Sequence, residues 1–100
     1  MSKHLSFAQL KDRHLKTLAQ YVPIVERVHG SHHPEFHEVR AIFDVIVRKI
    51  REAGERKAEL TEEFATLRTI TDGYRVPADV CESYEAVYVM LREIDEAYHA

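Results

Sequence analysis

Apolar residues recur along this chain at intervals of three and four, the spacing that lines one face of an α-helix. Leu15, Leu18, Val22 and Val25 follow it, predicting a first helix from about Leu5 to Val28. Pro23 falls inside that run. Its missing N–H and its ring against the preceding turn predict a bend rather than a stop, because the apolar phase resumes at Val25. Gly30 stands where a left-handed C-terminal cap is expected. After Ser31-His32-His33, Pro34 and Glu35 open a second stripe of Phe36, Val39, Phe43, Ile46, Ile50 and Ala53. The phase continues as Lys57, Leu60, Phe64, Leu67 and Thr71, and Asp72-Gly73 reads as a turn. A last helix is predicted from Pro77, with Asp79 and Cys81 in its first turn and Val80, Tyr84, Val87, Leu91, Ile94 and Tyr98 on its buried face. No segment alternates as a strand would. The expectation is an all-α protein, a single domain spanning residues 1–100, with short loops that make neighbouring helices antiparallel in a four-helix bundle.

Residues 34–71 decide between two architectures. Gly54 is the sole candidate turn residue there, helix formers flank it, and no Ser, Thr, Asn or Asp lies between it and Thr61 to cap a new helix. One glycine costs a helix only about 1 kcal/mol against alanine. A continuous helix of about 36 residues would be about 54 Å long, too long for one such domain to cover. The favoured expectation is therefore a homodimer completed by helix exchange, with a hairpin at Gly54 and a compact monomer as the alternative.

Composition narrows the function classes. At 31% charged residues with both signs interspersed and a net charge of -3, the chain has no basic footprint for nucleic acid and no polybasic anchor for a membrane. No apolar run approaches the roughly 18–20 residues of a spanning helix. The N-terminal residues form no leader pattern, and a single cysteine fits a reducing compartment, so the expected location is the cytoplasm.

Seven histidines invite a metal reading. The group His29, His32, His33 and His37 reads first as a polar connector, because Pro34 pushes His33 away from helical geometry. Glu26-x-x-His29 and Glu96-x-x-His99 both have the spacing used by di-iron bundles, but each closes a helix that should point opposite ways. They would lie about 30 Å apart, so they cannot share a site. His29 is the one candidate metal ligand. It continues the apolar phase of its helix, and the competing reading has it bonding the last carbonyls there. Cys81 reads mainly as a small buried group, with a thiol-based redox role as the lesser reading. No phosphate loop, serine elbow or zinc cysteine pair is present, and no catalytic residue is assigned.

Two stretches carry a family resemblance. Val25-Glu26-Arg27-Val28-His29-Gly30 with His33-Pro34-Glu35, and Leu67-Arg68-Thr69-Ile70-Thr71 with Tyr74, Pro77, Asp79, Cys81, Tyr84 and Leu91-Arg92-Glu93, resemble hemerythrin-like domains of the iron-sulfur cluster repair branch. The resemblance implies a hemerythrin-like bundle, a place in nitrosative or oxidative stress, and two irons held by histidines and carboxylates. Of that ligand set only His29 is matched. Ala8 and Lys57 stand near two ligand histidines, the second-helix ligand segment is missing between Ala53 and Gly54, and the last ligand pair would begin just past Ala100. The expectation is a ligand-depleted hemerythrin-like protein acting as an interaction or regulatory module, not an enzyme, with a possible protein partner and no cofactor. The alternative is iron or haem bound at a new site around His29.

Overall fold

A computed structural model describes residues 6–100. Leu5, where the sequence pattern starts the first helix, lies outside them, as does the N-terminal stretch read for a leader. Four helices follow in order: α1 (Phe7–His29), α2 (Glu35–Ala53), α3 (Thr61–Thr71) and α4 (Glu82–Tyr98), with no strand among the described residues. None is long and apolar enough to cross a membrane.

α1 begins where Ser6 and Gln9 close a reciprocal capping box, satisfying two of the N–H groups that a helix start leaves unpaired. The helix runs through Pro23 to His29 and buries Leu10, Leu18, Val22 and Val25. Gly30 is not the left-handed cap the pattern suggests. Its φ of -59° and ψ of -28° are right-handed, and close approach is what demands glycine. A Cβ there would sit 2.5 Å from the Glu26 carbonyl oxygen and 2.7 Å from His37 Cε1.

The continuous helix through residues 34–71 is not what forms. α2 ends at Ala53, and Gly54 adopts φ +62°, ψ -122°, a region that a side chain makes costly. Residues 54–60 then turn back, and α3 starts at Thr61. The apolar phase survives the break because Ala58 and Leu60 are themselves buried. Two interactions that sequence spacing does not show hold the reversal. The Tyr98 hydroxyl donates to the Ala58 carbonyl at 3.0 Å and accepts from the Leu60 N–H at 2.9 Å. Lys49 on α2 reaches Glu63 on α3 at 2.9 Å. Leu60 supplies no side-chain cap, so the absence of a capping residue was read accurately from sequence. Glu59 stands in, accepting from the Thr61 hydroxyl at 2.7 Å and from its N–H at 3.4 Å.

The Asp72-Gly73 turn is present and extends to Tyr74, all three residues lying at positive φ (53°, 70° and 64°). α4 begins at Glu82, five residues later than Pro77, so Cys81 is its N-cap rather than a first-turn residue. Pro77 and Asp79 instead belong to the connection between α3 and α4.

One buried cluster unites the helices. Phe36, Phe64, Tyr84, Tyr88, Leu18, Leu67 and Leu91 are all nearly inaccessible within it, and each such side chain contributes roughly 1.5–3 kcal/mol by leaving water. Along α1 and α4 the pairs are Phe7 with Tyr98, His14 with Glu93, and His29 with Cys81. The start of α1 therefore meets the end of α4, and the reverse. α2 is tied to α1 by Arg40 and Glu26 at 2.7 Å.

Gly54→Ala is expected to lower the unfolding free energy by roughly 1–3 kcal/mol, because alanine must adopt the left-handed region there. Urea unfolding monitored by circular dichroism measures it. A stabilised variant would favour the continuous helix.

Candidate functional site

The chemically versatile side chains gather where the α1–α2 junction meets the start of α4. His29 closes α1 half-buried, its ring edge-to-face with Tyr84 at 5.4 Å between centroids. Its Nε2 lies 3.2 Å from Cys81 Sγ, across 52 residues of chain. The imidazole thus does not bond the last carbonyls of its own helix; it faces a thiol. Cys81 is exposed, which corrects its reading as a buried apolar group: the later start of α4 leaves it at the surface as N-cap.

His33 lies beside this pair and also packs against Tyr84, at 5.6 Å. Its Nδ1 is 3.2 Å from Glu35 Oε2, and its Nε2 is 3.0 and 3.2 Å from the two oxygens of Asp79. Glu35 also accepts from the Tyr84 hydroxyl at 3.4 Å, and Tyr84 lies 3.1 Å from the Tyr88 hydroxyl. Burial, then the shared hydrogen bond, pushes the Tyr84 hydroxyl well above the usual tyrosine range; burial raises Tyr88 as well. Both stay protonated at any physiological pH. A cleft of about 520 Å³ adjoins the cluster, with His33, Glu35, Asp72, Arg75, Pro77 and Tyr88 in its walls.

The remaining histidines are dispersed. His32 is exposed, and its ring nitrogen Nδ1 lies 3.3 Å from the Ser31 hydroxyl. His37 is exposed and meets Glu26 at 2.7 Å. Glu26 therefore serves His37 and Arg40, not His29, and the Glu-x-x-His spacing does not make a shared pair. Those two hydrogen bonds, His37 first, hold the Glu26 carboxyl below its ordinary 4.5. His99 likewise turns to Asp95 rather than Glu96, 2.9 Å from its Oδ1. Among the described residues no group of three or more His, Cys, Asp or Glu is arranged to hold a metal ion.

The far end of the bundle contains a residue that sequence reasoning passed over. Asp95 is a buried carboxylate, 3% exposed. Arg68 Nη1 donates to both its oxygens at 2.8 and 2.9 Å, and the Tyr74 hydroxyl donates at 2.7 Å. A charge taken from water needs such partners, and here they also hold Tyr74 in its left-handed conformation. Burial and the bond to Asp95 push the Tyr74 hydroxyl far up. A sequence signal existed. Asp95 stands four residues after Leu91 and three before Tyr98, in phase with the buried stripe.

Lys57, near an expected ligand histidine, lies at that same end. Its Nζ donates to the Tyr98 carbonyl at 2.9 Å and sits 4.2 Å above the Tyr98 ring. This ammonium satisfies one of the last, otherwise unpaired carbonyls of α4. No family model matches the chain, and no curated protein or solved structure does either.

The depressed Glu26 carboxyl has a consequence for acid stability. A carboxyl held lower in the folded state than in the unfolded chain contributes stability that is present above about pH 4.5 and is lost as pH falls through the folded value. Glu26→Gln is expected to flatten the fall in urea midpoint below pH 4.5. An acid limb identical in both proteins would show that the tie contributes nothing.

Proposed function

We propose that this chain is a hemerythrin-like, antiparallel helical module that works without a di-iron centre, as a cytoplasmic regulatory protein whose responsive group is the Cys81 thiol. The observation that carries the reading is the 3.2 Å approach of His29 Nε2 to Cys81 Sγ. The residue that the family resemblance marks as an iron ligand has a different neighbour here. A nucleophile within hydrogen-bond reach of a base is the arrangement that activates a thiol. In the tautomer that leaves Nε2 without a proton, the S–H donates toward it, and the imidazole is placed to take that proton as the sulfur attacks. Against a small disulfide, the sulfur pair attacks one sulfur, a new S–S bond forms to Cys81, and the other sulfur departs as a thiolate that takes up a proton. The link to nitrosative or oxidative stress, carried by resemblance alone, agrees with such chemistry.

The Lys57 ammonium against Tyr98 supports the loss of iron chemistry, because a cation fills the place where the family sets a ligand. The rival reading, iron or haem at His29, has to take Nε2 away from Cys81 and find further donors. A protein partner has a surface to use. Among the described residues, Ile24 and Val28, one turn apart on α1, are the large apolar side chains left exposed, at 48% and 58%. The same patch can serve a homodimer. Helix exchange loses its motive, since the reversal at Gly54 lets α2 and α3 cover one core.

Alkylation of Cys81 by iodoacetamide across pH 6–9 tests the reading, with labelling read by mass spectrometry. In His29→Gln the rate near pH 7 is expected to fall about tenfold, with the fold retained by circular dichroism. Equal rates in both proteins, matching a cysteine in an unstructured peptide, would overturn it.

A further inference from the structure

His33 differs from every other histidine among the described residues. Both of its ring nitrogens face carboxylates, Nδ1 toward Glu35 and Nε2 toward Asp79, while the others pair through one nitrogen. An ionised carboxylate only accepts. A neutral imidazole has one N–H to give, so one of its two contacts would set a nitrogen lone pair against carboxylate oxygen. The imidazolium donates at both nitrogens and completes both contacts.

The two carboxylates belong to distant parts of the chain. Glu35 opens α2 and Asp79 lies in the α3–α4 connection, 46 residues beyond His33. The other polar ties of that connection lie towards its ends: Tyr74 to Thr71 and Asp95 at one, Cys81 to His29 at the other. Its Arg75 N–H donates to the Thr71 carbonyl at 3.0 Å, and the Arg75 guanidinium faces Asp72 at 3.8 Å. The other titratable groups around the ring are Tyr84 of α4, against which it packs, and Asp72, Arg75 and Tyr88 in the walls of the adjoining cleft. His29 of α1 shares the Tyr84 ring.

We propose that His33 is a proton-operated clasp that fastens residues 76–81 to the α1–α2 junction. Protonated, it bridges Glu35 and Asp79 and the connection is docked. Deprotonated, it releases one carboxylate and the connection loosens along the cleft wall. The attraction exists only with the imidazolium, so docking is favoured on the acid side and weakens as pH rises. Asp79 precedes the thiol by two residues, so the clasp also bears on how Cys81 is presented. The clasp itself does not rest on the thiol reading: amide exchange tests the one, alkylation the other.

Hydrogen exchange of the intact protein, read by NMR at the amides of Val76, Ala78, Asp79, Val80 and Cys81 at about pH 5.5 and pH 8, is the test. After correction for intrinsic exchange, wild-type protection there is expected to be several-fold higher at the lower pH. Protection in α1–α3 should change far less. Asp79→Asn, at an exposed position, should abolish the difference without unfolding the protein, and His33→Gln should do the same. Protection that is independent of pH in the wild type, or a pH dependence retained in Asp79→Asn, would overturn the clasp.

Discussion

The fold turns on one hydroxyl. Tyr98, on the last turn of α4, places its phenol where residues 58 and 60 reverse direction, giving a proton to one backbone carbonyl and taking one from a backbone N–H. Both backbone groups would otherwise be buried without partners, at a cost of roughly 1–3 kcal/mol each. With them satisfied, the chain can leave the helix at Gly54, bury Ala58 and Leu60, and restart at Thr61. α3 then lays Phe64 and Leu67 on the core that α1, α2 and α4 share. The ring also packs against Phe7 and Phe64 and lies under the Lys57 ammonium, so the first helix, the reversal and the last helix meet at one side chain.

That arrangement explains which features were legible in the sequence. The apolar stripes of all four helices were, down to Leu18, Val22, Phe36, Val39, Phe43, Ile46, Leu67, Tyr84 and Leu91 as buried positions, because period and burial are the same fact seen twice. The reversal at Gly54 was misjudged because the groups that hold it come from Tyr98 and Lys49, which local propensity cannot weigh. Gly30 was rightly marked as special for a wrong reason: its constraint is the close approach of the Glu26 carbonyl oxygen and the His37 ring, not its own dihedral angle. The start of α4 was placed at Pro77 by a rule about proline in first turns. The chain instead spends those residues on the left-handed turn at Tyr74 and on the contact between Asp79 and His33.

The site itself was only half legible. His29 was singled out by its phase and by the family pattern, yet its partner could not be, since Cys81 is 52 residues away and meets it only through the tertiary fold. Asp95 was hidden for the same reason: its donors, Arg68 and Tyr74, come from α3 and from the turn that follows. The molecule thus has two polar ends of different character. At one, an exposed thiol lies beside half-buried histidines and their carboxylate partners. At the other, a buried carboxylate and a lysine on a helix terminus consolidate the packing. Exposed groups with partners in reach can respond to the medium, while fully satisfied buried ones hold shape.

The central proposal is that the Cys81 thiol beside His29, and not an iron centre, is the responsive group of this protein. Iron titration of protein purified without a histidine tag, followed by metal analysis and visible absorption, confronts it most directly. The account predicts that iron washes away on desalting and that no visible band develops. Iron retained in stoichiometric amount, with the absorption of an oxo-bridged pair, would contradict it.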